Sequence, residues 1–245
     1  MNNTIMYGLN KEEIKLFQRL NTPAKIQDFL EQIPINFERG RQTCYSPRQV
    51  LKYRRAHCME GAMLAAAILK FHGHKPLVVD LRAHKRDRNH AIAVFKINPA
   101  PSCRGIAPRR KAILSHSSPQ QAAGYSGRCW INSEWGAISK TNHAVLRYRE
   151  PVYNSLRELV MSYFHEYFLN DGKKTLRSYS EPVDLSRFDT KNWITSDTDL
   201  WYIDEYLNRV PHTSILNKKQ VASLRRADKI EIRAGKLTTF KRGSK

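Results

Sequence analysis

The chain has 245 residues, of which 41% are hydrophobic and 10% aromatic, so it is long and apolar enough for a sizeable core and is not a disordered chain. Its formal net charge of +20 favours encounters with nucleic acid, anionic surfaces or acidic proteins. Its four cysteines are widely spaced, with no CxxC pair, which excludes a dense disulfide framework and a zinc knuckle and favours reduced thiols.

The N-terminal residues, MNNTIMYGLNKEEIK, lack the charged-then-apolar order of a secretory signal. The longest apolar run, GAMLAAAIL over 61–69, is less than half of the ~20 residues that a membrane-spanning helix needs. We therefore expect a cytoplasmic protein with no membrane contact, and the sequence leaves its oligomeric state open.

Three short helices are predicted in the first 54 residues. Asn10 and Glu13 have the spacing of a capping box, in which each side chain pairs with a free amide at a helix start. Thr22 followed by Pro23 is a second start signal, and Ser46 opens a third helix.

The next segment, 59–71, is apolar on nearly every side, which predicts a helix buried in the middle of the domain. Four segments are then expected as strands, with Pro151 closing the last: 76–82, 89–97, 134–139 and 144–149. An amphipathic helix is predicted over 156–168, followed by helical segments at 200–207 and 218–227. The fold class is thus α+β, with the central helix packed on an antiparallel sheet.

Residues 99–132 differ from their surroundings, because they contain five basic residues, no acidic ones and four prolines. They look like an insertion into a hairpin. Cys103, His116 and Cys129 within it are weak candidates for a metal site, and we expect no metal. The predicted organisation is a core over 1–180 carrying this basic loop, and a basic C-terminal extension over 181–245.

The motif RAHCMEGA places Cys58 at the start of the buried helix. Free amides and the helix dipole at that position stabilise a thiolate and lower the pKa of the thiol. His90 begins a predicted strand and can share the thiol proton if the strand lies against the helix start. This pair predicts a nucleophilic cysteine with an imidazole base, and such a pair requires no cofactor.

Three sequence elements resemble the transglutaminase-like superfamily: CMEGA with Cys58, NHAIAVF with His90, and WGAIS with Trp135 and Ser139. Ser139 lies 49 positions after His90, and 15 remain when 99–132 are left out, which suits one antiparallel hairpin. The resemblance covers about residues 46–168, ending in a segment similar to bacterial transglutaminase-like proteins. It implies a papain-like α+β core with N-terminal helices and a small C-terminal helical extension.

The sequence departs from the family pattern at Ser139, where the family has an aspartate that orients the histidine and stabilises its cation. A hydroxyl can hold the ring but supplies no countercharge. Asn142 is a second candidate for the orienting group, and Asp80 and Asp87 stay open as further ones.

The remaining site candidates also have structural interpretations. Glu60 suits the first turn of a helix as a carboxylate favoured by the dipole. His57 is expected as a flanking residue that could contact substrate, and Trp135 as packing at the hairpin.

Two functions follow as hypotheses. The first is a thiol acyl-transfer enzyme, with amidase, peptidase or transglutaminase chemistry on a peptide or protein amide, in which Cys58, His90 and Ser139 form the catalytic group. The second is an inactive fold of the same kind that binds nucleic acid or an acidic partner through its basic surface.

Overall fold

The structure is a computed structural model that describes residues 7–38, 40–97 and 134–238. The predicted basic loop and its Cys103, His116 and Cys129 lie outside the described residues. No helix in the described ranges is long and apolar enough to cross a bilayer.

The three N-terminal helices form as predicted: α1 (Lys11–Arg19), α2 (Pro23–Gln32) and α3 (Pro47–Tyr53). Side chains of Asn10, Thr22 and Ser46 accept hydrogen bonds from amides in the first turns of these helices. The capping signals in the sequence therefore set where each helix begins.

The central helix is α4 (Cys58–Phe71), and every residue from Met59 to Lys70 is buried. Helices α2 and α3 pack on it from one side, and the sheet packs on it from the other. A helix with no polar face can be stable only when it is covered all round, as this one is.

Seven strands form one sheet in the described part of the chain: β1 (Leu77–Ala83), β2 (His90–Ile97), β3 (Glu134–Ile138), β4 (Arg149–Tyr153), β5 (Leu176–Ser180), β6 (Val183–Asp184) and β7 (His212–Ser214). Their order is β4-β3-β2-β1-β5-β7, β6 also pairs with β1, and every pairing is antiparallel. The predicted α+β class is confirmed.

Alternate residues of the strands face opposite sides of the sheet. Val78, Ala91 and Ala93 pack toward α4, whereas Val79 and Ile92 pack toward α5 (Leu156–Phe164). The sheet is therefore covered on both faces, which explains why β1 and β2 are almost continuously apolar.

Three predicted elements differ from the structure: the fourth strand, the amphipathic helix over 156–168, and the segment 218–227, whose helix ends at Ala222. The fourth strand does not cover 144–149 but runs from Arg149 to Tyr153 and includes Pro151, which is tolerated because β4 is an edge strand. Helix α5 ends at Phe164 rather than at Phe168, because Tyr167 turns away and its carbonyl accepts the amide of Thr175.

The C-terminal part contains α6 (Trp201–Arg209), α7 (Lys218–Ala222) and α8 (Lys229–Gly235). Trp193, Leu200 and Ile203 belong to the same buried cluster as α4. The division of the chain into folding units at residue 180 stays a prediction.

Candidate active site

Cys58 is the first residue of α4 and is only partly buried. Its backbone amide has no hydrogen-bond acceptor among the residues that the structure describes. A thiol beside a free amide at the positive end of a helix dipole is placed to become a nucleophile.

His90 begins β2, and its ring is buried beside Cys58. Nε2 lies 2.7 Å from the hydroxyl oxygen of Ser139, which directly follows β3. When Nε2–H donates to this hydroxyl, Nδ1 is the nitrogen left to exchange a proton with Cys58, and the His90 ring lowers the pKa of this thiol. The structure thus brings together the three residues that the sequence singled out.

The backbone of Ser139 is fixed by a buried side chain from α2. The amide group of Gln27 donates to the Ser139 carbonyl at 3.0 Å and accepts the Ser139 amide at 2.9 Å. This pairing imitates the two hydrogen bonds of a sheet ladder. Gln27 therefore determines where the Ser139 hydroxyl meets the His90 ring.

The segment after Ser139 packs against the first turn of α4. A β-carbon at Gly61 would lie 2.2 Å from Cβ of Lys140, so only glycine allows this approach. The Lys140 ammonium donates to the carbonyls of Leu30, at 2.7 Å, and Ile33 at the end of α2. Burial lowers the pKa of Lys140 to about 8.

Glu60 is fully buried in the first turn of α4, where its carboxylate is part of the capping box of the helix. Its carboxylate accepts hydrogen bonds from the side chains of Asn36 and Thr43 and from the amides of Tyr45 and His57, at 2.7–3.1 Å for the shortest contact to each. These four donors join the 36–45 segment to the residue before Cys58. The role is structural, as its place in the first turn indicated.

His57 is the N-cap residue of α4 and directly precedes Cys58. Nε2 donates to the Thr43 carbonyl at 2.9 Å, and Nδ1 lies 3.2 Å from the amide of Met59, which it accepts when the ring is neutral. When the ring is a cation, Nδ1–H is a donor, and Cys58 is a hydrogen-bond partner that raises the pKa of the ring. Burial lowers the pKa of His57, but the hydrogen bond to Cys58 and the charge of Glu60 outweigh it and raise the pKa to about 9.

Both imidazole rings change the pKa of the Cys58 thiol. Burial of the sulfur raises its pKa, whereas hydrogen bonds from His57 and His90 and the charges of these two rings lower it. The second effect wins, so the pKa of Cys58 lies well below its ordinary value of 9.0. A thiolate paired with an imidazolium is the productive resting state of such a site.

A cleft of about 390 Å³ opens onto Cys58 and His90. Asn142 and Tyr167 also line it, and Asn142 has no side-chain partner among the described residues. Trp135 does not line the cleft but packs on the α5 side of the sheet, with the Lys96 ammonium 4.4 Å from the centre of its ring.

Asp80 and Asp87, the two aspartates that remained as candidates for orienting His90, are hydrogen bonded to other residues. Asp80 accepts from Nε2 of His212 at 2.9 Å, and Asp87 accepts from the Thr175 hydroxyl at 2.5 Å. Neither contacts the His90 ring through a described hydrogen bond, so Ser139 is the group that holds it. No cluster of three metal-ligating side chains occurs within the described ranges.

Several residues of the site had no signal in the sequence. Gln27 and Thr43 come from elements far from Cys58 along the chain and carry no motif. The glycine of CMEGA could have indicated a close approach in the first turn of α4, but not that its partner is Lys140.

Comparison with known families agrees with this geometry. Residues 1–100, which include Cys58 and His90 but end before Ser139, match the model of a family described as a transglutaminase-like domain. No curated protein matches the chain. The predicted resemblance to the transglutaminase-like superfamily is confirmed.

Proposed function

We propose that this chain, which carries a transglutaminase-like domain, is a cysteine-dependent acyl-transfer enzyme acting on a peptide or protein amide. The supporting observation is that Cys58, the first residue of α4, lines the same cleft as His90, whose ring contacts Ser139 at 2.7 Å. Cleft access and a depressed thiol pKa are what a nucleophilic cysteine requires.

In the first step the Cys58 thiolate attacks the carbonyl carbon of the substrate amide. A C–S bond forms, and the π electrons of the carbonyl move to its oxygen. The free amide of Cys58 can donate to this oxyanion. The transition state is thereby stabilised more than the ground state.

In the second step Nδ1–H of His90 gives its proton to the departing amine, the C–N bond breaks, and a thioester remains on Cys58. Water or a primary amine then attacks the thioester and loses its proton to His90, the C–S bond breaks, and the acyl product leaves the regenerated Cys58 thiolate. The Ser139 hydroxyl accepts Nε2–H throughout and keeps the ring oriented. The acceptor decides between amidase or peptidase activity and transglutaminase activity.

The test is to trap the acyl-enzyme. Incubation with a p-nitrophenyl ester of an N-acyl amino acid is expected to release one burst of nitrophenolate and to leave a hydroxylamine-labile adduct on the peptide that contains Cys58. The variant Cys58→Ala is the control, and peptide mapping separates Cys58 from the other three cysteines. A burst that survives in this variant would contradict the proposal.

A binding role is the second candidate, because Ser139 brings no countercharge and the chain has a net charge of +20. One observation favours nucleic acid as the ligand: Lys52, Arg54 and Arg55 are exposed next to Tyr53, a residue that is 45% exposed. Cations beside a partly exposed aromatic residue suit a single strand. Binding of an oligonucleotide that weakens steeply with salt and persists in Cys58→Ala would support this role; no binding at low salt would remove it.

A further inference from the structure

We propose that Arg88 and Lys236 select an acyl donor that carries a carboxylate close to the amide to be cleaved. This inference rests on the proposed function, because it concerns the substrate of the same cleft. Both side chains line the cleft that contains Cys58 and His90, and both are exposed.

These two cations are available to a ligand. Neither side chain has a hydrogen bond or ion pair within the described part of the chain. Lys140, the other basic side chain of the cleft apart from the histidines, differs because its ammonium is occupied by the carbonyls at the end of α2.

The acidic side chains of the cleft are turned toward protein groups instead. Glu166 accepts from the Arg149 guanidinium at 2.7 Å, and Glu38 accepts the amide of Thr43 at 2.9 Å. Asp87 accepts both the Thr175 hydroxyl and the amide of Arg88, at 2.5 and 2.8 Å. The carboxylates are satisfied where they are, whereas the cations of Arg88 and Lys236 are not.

The backbone of Arg88 is held in place by two hydrogen bonds. Its carbonyl accepts a hydrogen bond from the hydroxyl of the buried Tyr167, and its amide donates to Asp87 at 2.8 Å. It lies two positions before His90, so its side chain enters the cleft beside the base.

The backbone on both sides of Lys236 is held in place by hydrogen bonds. The carbonyl of Gly235 lies 2.8 Å from Nδ1 of His143, and the carbonyl of Leu237 accepts the amide of Ala144 at 3.0 Å. A β-carbon at Gly235 would lie 2.8 Å from the Phe168 ring, so glycine is needed for this close docking. The end of α8 is thereby held as a wall of the cleft.

A pair of nearly isosteric probes tests the inference: iodoacetyl-glycyl-glutamic acid amide and iodoacetyl-glycyl-glutamine amide, which differ in one carboxylate. We expect wild-type Cys58 to react with the acidic probe several times faster than with the neutral one. Each of Arg88→Gln and Lys236→Gln should reduce this preference by about threefold, as expected for exposed charges, with a smaller effect on the rate with the neutral probe.

The matched control is Lys75→Gln, which removes the same charge from an exposed site outside the cleft and should leave the preference unchanged. Equal rates for both probes, or an equal effect of Lys75→Gln, would overturn the inference while leaving Cys58 as the nucleophile. Failure of either probe to label Cys58 would instead overturn the proposed function and this inference together.

Discussion

Two pairs of residues support the sulfur of Cys58, and they differ in charge. The sheet pair is His90 with the uncharged hydroxyl of Ser139. The cap pair is His57 with the carboxylate of Glu60, which is fully buried and lies 3.4 Å from Nε2 of His57. Both imidazoles lower the pKa of the same thiol, but within the described part of the chain only the His57 ring has an ion pair with a buried carboxylate.

The difference suggests a division of labour between the two pairs. The countercharge that the family pattern places behind the base is absent from the sheet pair, and a buried carboxylate stands behind the other imidazole instead. We expect the cap pair to hold the thiolate and the sheet pair to move the proton. The predictions below test this division.

The largest effect is expected for His90→Gln. Removal of the general base should slow acylation by about 10²–10⁴-fold, whereas alkylation of Cys58 by iodoacetamide at neutral pH should fall much less, because the cap pair still stabilises the thiolate. Both rates are measured on the same preparation. An equal loss in the two assays would show that the pairs do not divide these tasks.

Glu60→Ala should destabilise the fold by roughly 3 kcal/mol, because four donors lose their buried acceptor. Urea unfolding measures the change in the free energy of unfolding. Glu12→Ala is the control, since its carboxylate is 81% exposed and pairs with the exposed Lys15, and it should change stability by less than about 0.5 kcal/mol. A loss below that control value in Glu60→Ala would refute the structural role.

His57→Ala should cost about 1 kcal/mol of stability, because the hydrogen bond from Nε2–H to the Thr43 carbonyl and the pairing with Glu60 are lost. It should also raise the pKa of the Cys58 thiol, because one of its two hydrogen-bonded imidazoles is gone. Urea unfolding and the pH dependence of alkylation measure the two effects. An unchanged alkylation profile would mean that the cap pair does not act on the thiolate.

The His57 ring itself should titrate near pH 9 by nuclear magnetic resonance, and at a lower pH in Cys58→Ala, where the thiolate that raises its pKa is gone. A histidine with a raised pKa stabilises the fold fully below pH 6.5, and this contribution is lost as the pH rises through about 9. The lowered pKa of Cys58 acts in the opposite direction over the same window, because this thiol is still protonated in the unfolded chain, so the stability of the wild-type protein should change little between pH 6.5 and 9.

The smallest effect is expected for Ser139→Ala. Loss of one hydrogen bond to the ring should slow acylation about fivefold, with little change in alkylation. Gln27→Ala should act in the same direction, since it releases the backbone of Ser139. If Ser139→Ala has no effect, the ring is oriented by another group, for which Asn142 is the remaining candidate on the cleft wall.

Local signals made much of this site predictable from the sequence. The start of α4 at Cys58 and of β2 at His90 followed from a motif and from strand composition, and the position of Ser139 followed from the resemblance. Contacts between distant segments were not predictable. Gln27 is 112 positions from Ser139, and no local pattern indicates that its amide pairs with that backbone.

The secondary-structure predictions that were wrong or missing also concern elements that depend on contacts between distant segments. Helix α5 was predicted to reach Phe168 because the apolar spacing continues, but Tyr167 is used instead to bind the carbonyl of Arg88. Strands β5 and β7 were not predicted, since short strands acquire their stability from neighbours in the sheet rather than from their own sequence.

The central claim is that Cys58 is held as a thiolate, and the rate of its alkylation by iodoacetamide as a function of pH tests this directly. Peptide mapping assigns the modified cysteine. The account predicts that the rate at pH 6 stays close to the rate at pH 8 and falls only in more acidic solution. A rate that drops about tenfold for each pH unit below 9, as for an ordinary thiol, would contradict it.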